Sequence, residues 1–137
     1  MARINTYRDL DVWQRSMRIT LTCYRLTTSF PRHEAYGVTS QLRRACVSIA
    51  ANLAEGHNRR SRRAYLNHVH VALGSQAEVE TLVELSRSLE YLPASDADAL
   101  LLEVARVGRM LHVLARSLDA GLDHQRPAPN AQRRTPA

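Results

Sequence analysis

Apolar side chains recur every three or four positions over most of this chain. That is the spacing of one face of an α-helix, and no alternation of period two competes with it. In the first such segment, about 9–29, Leu10, Trp13, Met17, Leu21, Tyr24 and Thr28 keep the step. "FPRHEAYG" (30–37) then breaks it, with Pro31 and Gly37 as punctuation. The second segment, about 39–56, aligns Val38, Leu42, Ala45, Cys46, Ile49 and Leu53, with Thr39 placed as N-cap and Gly56 placed just past the end. The third, about 61–90, starts on Ser61 as N-cap and lines up Tyr65, Val69, Ala72, Val79 and Val83. Gly74 inside it reads as a point of close helix approach. "YLPASD" ends that segment at Pro93. The fourth, about 95–120, is capped by Ser95 or Asp96, aligns Leu100, Val104, Val107, Leu111, Leu114 and Leu118, and is closed by Gly121. Residues 122–137 hold almost nothing apolar and read as a disordered basic tail. The pattern predicts one all-α domain over 1–121, an antiparallel up-down four-helix bundle.

Each of the first three helices carries a second apolar line. In the second it is Val47, Ala50, Ala51 and Ala54, where a helix of a solitary bundle would turn polar residues to water. The third adds Ala64, Val71, Leu82, Leu85 and Leu89; the first adds Val12, Ile19, Cys23 and Leu26. A fully buried Leu or Ile contributes about 1.5–3 kcal/mol. Lines of such residues exceed what soluble monomers expose. The expectation is a homo-oligomer, closed as a ring or barrel, with Val47, Ala50, Ala51, Ala54, Val71, Leu82, Leu85 and Leu89 at the contact. Between the two apolar surfaces of the second helix runs a polar line: Gln41, Arg44, Ser48, Asn52 and Glu55. It reads either as a hydrogen-bonded seam between helices or subunits, or as the lining of a polar groove or pore. An enclosed polar group without a partner costs about 1–3 kcal/mol.

Charge changes the picture at one place. The net charge is +6, yet Arg59, Arg60, Arg62 and Arg63, with Arg126, Arg133 and Arg134 of the tail, already exceed it. Basicity is therefore local. All 19 cations are arginine and none is lysine, so no single arginine marks a choice over lysine. Arg62 and Arg63 fall in the first turn of the third helix, where the helix dipole favours anions. Two cations there make sense if a phosphate binds between them and the free N–H groups of the helix start. Arg59, Arg60, Arg62 and Arg63, assisted by Arg43 and the tail, are the candidate nucleic-acid contacts.

Other chemistry has little footing. No apolar run is long enough to span a membrane, and the N-terminus lacks a signal-peptide core, which points to the cytoplasm. Cys23 and Cys46 read as a reduced pair inside helices. His68 and His70 lie on opposite sides of a helix and cannot share an ion, so no metal or other cofactor is expected. Ser48 has no base placed to activate it, and a helical serine ordinarily bonds the preceding turn. Glu78, Glu80 and Glu84 read as ion-pair partners of arginines. There is no Gly-rich phosphate loop. No catalytic residue is expected.

"LDVWQRS" (10–16), "FPRHEAYGVTSQLRRACVSIAANLAEGHNR" (30–59) and "ALGSQAEVETLVELSRSLEYL" (72–92) closely resemble the bacterial four-helix-bundle family named after the 23S rRNA intervening-sequence proteins. The resemblance spans about residues 5–120. It implies a left-handed antiparallel bundle assembled as a homopentameric barrel. Some members of that family are encoded inside insertions in large-subunit rRNA genes. A related branch comprises the accessory proteins of diversity-generating retroelements, basic pentamers that work with a reverse transcriptase and its template RNA. The family has no established catalytic activity. Gln41, Arg43, Arg44, Ser48, Asn52, Glu55 and Gly56 match its signature. The implied partners are further copies of this chain, and RNA or a reverse transcriptase or other nucleoprotein, with no membrane; the alternative is a protein–protein interaction module without a nucleic-acid role.

Overall fold

A computed structural model describes residues 3–123 of the chain. Four helices form: α1 at Asp11–Thr27, α2 at Val38–His57, α3 at Arg62–Ser88 and α4 at Ala94–Asp123. Short 3₁₀ turns at Tyr7–Asp9 and Arg32–Glu34 precede α1 and α2, and no strand occurs among the described residues. α1 packs on α2 and α4, and α3 packs on α2 and α4. Between neighbouring helices one number rises as the other falls: Cys23 pairs with Cys46 and Thr27 with Arg43, Ser48 with Ser75 and Asn52 with His68, Gln76 with Val104 and Arg87 with Asp98. Neighbouring helices are thus antiparallel. The expected tail beyond 123 lies outside the described residues.

The stripes read for α2, α3 and α4 form the core. Leu42, Ile49, Leu53, Val69, Val79, Val83, Val104, Val107 and Leu111 are all sealed from solvent. The face assigned to α1 holds only at its start, where Leu10 and Trp13 pack against the core. Val12, Ser16, Ile19, Cys23 and Thr27 are buried, while Met17, Leu21 and Tyr24 face out. Both stripes keep helical spacing, so spacing could not choose. Ser16 and Thr27 decide the matter because their hydroxyls donate to the carbonyls of Val12 and Cys23, at 2.7 and 2.8 Å. A hydroxyl satisfied within its own helix packs like a small apolar group.

The glycines also fall differently. Gly56 lies inside α2, not beyond it, and is buried. A Cβ there would stand 2.8 Å from the Cβ of His68 and 2.8 Å from a Tyr65 ring carbon. Gly108 gives Gln76 its room in the same way, and Gln76 donates to the Val104 carbonyl at 3.2 Å. Gly74 meets nothing within 4 Å, so it is not a contact point. Gly121 sits within α4, which continues to Asp123. Thr39 is not the cap of α2: the helix begins at Val38, whose N–H donates to the Glu34 carboxylate at 3.1 Å. Ser61 caps α3 as expected, accepting from the Ala64 N–H at 3.3 Å. α3 is followed by its C-cap Leu89 and then Glu90, whose φ of 62° lets Tyr91 N–H reach back to the Ser86 carbonyl.

Candidate nucleic-acid interface

Helices α2 and α3 are joined by residues 58–61. The close contact of Gly56 with Tyr65 and His68 draws the two helices together below the loop. Tyr65 packs edge-on against His57, with ring centres 5.8 Å apart, and burial pushes its phenol pKa up. Above this tight joint Arg59, Arg60, Arg62 and Arg63 are all exposed. None of the four makes an ion pair among the described residues. They do not act alike, however. The Arg62 guanidinium packs over Gly121 in the last turn of α4. That end of a helix is electronegative, so α4 offsets the unfavourable placement of this cation at the start of α3. Arg59 leans over a shallow cleft with Asn52, Asn67, His68 and Val71.

Arg43 stands apart from this group. Its Nε donates to Thr27 Oγ1 at 2.9 Å, and its guanidinium lies over the Tyr24 ring at 4.6 Å. It clasps α1 to α2 near the opposite end of the bundle. Beneath it the Cys23 and Cys46 thiols, both free and buried, face each other. A hydrogen bond to Cys23 and burial push the Cys46 thiol far up.

The polar line of α2 divides in two. Ser48 Oγ meets Ser75 Oγ at 2.7 Å, Asn52 Nδ2 donates to the Ser48 carbonyl at 2.8 Å, and Asn52 Oδ1 lies 3.0 Å from His68 Nδ1. Glu55 stands 3.8 Å from the same ring nitrogen. These residues form a bonded seam between α2 and α3. Gln41 and Arg44 do not join it; they are exposed and border a cleft of about 630 Å³. The sequence pointed to the α2 half of the seam. Ser75 carries no local mark, and His68 reads locally only as a rejected metal ligand. Their signal is the antiparallel register with Ser48 and Asn52.

Of the eight residues expected at an oligomer contact, Ala50 and Leu82 are buried inside the bundle, at 4% and 6% exposure. Leu82 belongs to the common core, and both side chains are taken up within their own bundle. Ala54 is half-buried, whereas Val47, Ala51, Val71, Leu85 and Leu89 remain exposed. Met17, Leu21 and Tyr24 of α1 join them. Among the described residues no three His, Cys, Asp or Glu side chains gather as a metal site, and no helix is long and apolar enough to cross a membrane.

The model of the 23S rRNA-intervening sequence protein family matches residues 8–113. The chain belongs to that family. The match covers α1, α2, α3 and most of α4, including the seam and the arginine loop. A crystal structure of a protein with unknown function from the S23 ribosomal protein family of Bacteroides thetaiotaomicron VPI-5482 has a similar fold. Its TM-score is 0.69 at 20% identity, over 76% of this chain and 97% of that one. No curated protein matches the chain.

Proposed function

We propose that this family member is a non-enzymatic homo-oligomeric scaffold, most simply a pentamer, that binds RNA or an RNA-bearing partner through Arg59, Arg60, Arg62 and Arg63. One observation carries the reading. The only dense basic segment within the described residues is displayed on the short α2–α3 loop, exposed and without acidic partners. The name of the family, which refers to an rRNA intervening sequence, agrees with it. Arg43 drops out of the contact set because Thr27 and Tyr24 hold it. Self-association follows from apolar residues that the bundle leaves uncovered. Contact of Arg43 with Tyr24 and of Cys23 with Cys46 sets an antiparallel register that levels Leu21 with Val47 and Met17 with Ala51. These side chains form one greasy strip along the α1–α2 side. In an oligomer each copy repeats the arginine loop, and weak phosphate contacts add.

The test is a titration of structured RNA with the wild type and with a variant carrying Arg→Ala at the four loop positions. Wild-type affinity falls steeply with salt, by roughly 0.9 log units per log unit of salt for each phosphate contacted on a duplex, and the variant loses most of that slope. Equal, salt-insensitive binding by both proteins overturns the reading.

A further inference from the structure

The cleft beside Arg44 lies at the start of α2, far from the arginine loop. Arg44 lies 13 residues before the end of α2 at His57, which puts roughly 20 Å between them. Tyr36, Ser40, Gln41, Arg44 and Glu78 meet at the cleft, with the seam hydroxyls of Ser48 and Ser75 in its wall. Tyr36 stands at its rim with 99% of its surface exposed. The ring is not on a loose loop. Ala35 N–H donates to the Arg32 carbonyl, Gly37 N–H donates to the Glu34 carbonyl at 2.9 Å, and the Glu34 carboxylate accepts from Val38. A rigid turn therefore presents a bare aromatic face to solvent. Arg44 borders the same cleft, exposed and without an ion pair among the described residues.

Ser40 sits one turn before Arg44 on the same side of α2. Its N–H lies in the first turn of α2, where Glu34 takes the Val38 N–H and Gly37 that of Gln41, while the Ser40 N–H takes no partner among the described residues. Gln41 and Glu78 add an amide and a carboxylate whose side chains make no hydrogen bond among the described residues. The cleft, about 630 Å³, is in the size range of small-ligand sites.

We propose that this cleft is a nucleotide subsite for single-stranded RNA. A base stacks on Tyr36. The adjoining phosphate is held by Arg44 and the Ser40 N–H at the electropositive start of α2. Gln41 and Glu78 take ribose hydroxyls or a base edge; Glu78, an anion, faces donors and not the phosphate. Stacking on an aromatic face is indifferent to sequence, so the subsite selects unpaired RNA and not a particular base. This proposal rests on the RNA reading above and adds a second contact of a different kind.

Fluorescence anisotropy with a short labelled oligoadenylate and with a blunt RNA duplex separates the two. Tyr36→Ala and Arg44→Ala each weaken oligoadenylate binding by about tenfold. Tyr36→Phe leaves it unchanged, and duplex binding is unaffected by Tyr36→Ala. Sedimentation mass stays that of the wild type throughout. Duplex binding that depends on the loop arginines, with oligoadenylate binding indifferent to Tyr36, overturns the subsite alone. A changed mass for Tyr36→Ala, with both RNAs lost together, makes Tyr36 a contact between copies and overturns it too. A wild type that binds neither RNA removes this proposal and the RNA reading together.

Discussion

Asn52 Oδ1 on α2 lies 3.0 Å from His68 Nδ1 on α3, and the same amide donates through Nδ2 to the Ser48 carbonyl. Because the amide nitrogen is committed to Ser48, the oxygen faces the ring, and His68 Nδ1 carries the proton. One side chain thus ties α2 to α3 and joins His68 to Ser48 of the seam. Asn52→Ala leaves His68 and Ser48 half-enclosed without these partners, and the cost is about 1–3 kcal/mol. Chemical denaturation of the variant shows a lower midpoint with an unchanged m-value.

Two glycines in the same bundle give opposite results on the same substitution. Gly56→Ala forces a methyl against Tyr65 and His68 and destabilises by about 1–3 kcal/mol. Gly74→Ala meets open space inside α3 and stabilises by about 0.5–1 kcal/mol through helix propensity alone. Thermal melts of the two variants move in opposite directions from the wild type.

Arg43→Ala separates structure from binding. It loses the bond to Thr27 and the stacking on Tyr24, which together are worth about 1–2 kcal/mol at this partly exposed site. Its melting temperature drops, while the salt dependence of RNA binding stays that of the wild type. A loop variant at Arg59 and Arg60 gives the reverse pattern.

A charge placed on the exposed strip splits the assembly. Met17→Glu and Val47→Glu each put a carboxylate where the register levels α1 with α2, and neither residue is in the core. Both variants keep their helical circular dichroism and sediment as smaller species than the wild type.

Much of this fold was legible in the sequence. Three of four core stripes follow from spacing; on α3, where a second apolar line of similar size runs alongside, the stripe of Val69, Ala72, Val79 and Val83 is the one sealed from solvent. On α1 two stripes compete, and Ser16 and Thr27 settle the choice through hydroxyl bonds within their own turns, which a count of apolar residues cannot register. The same blind spot put Ala50 and Leu82 on an outer surface: each lies at the edge of its stripe, and only the distance to the neighbouring helix decides. Gly56 was singled out for the right neighbourhood and the wrong reason, since a glycine that admits a side chain from another helix looks in sequence like one that ends a helix. The arginine loop was visible as a charge run. That Arg62 belongs to the end of α4 depends on a residue some sixty positions away, beyond any local pattern.

The central claim is that several copies of this chain act together on RNA. Sedimentation velocity in dilute solution, with a fluorescent structured RNA, tests both parts in one run. The account predicts protein sedimenting as a multiple of its 15.5 kDa chain mass, with the RNA travelling at the same boundary and released by high salt. A stable 15.5 kDa species beside free RNA at low salt contradicts it.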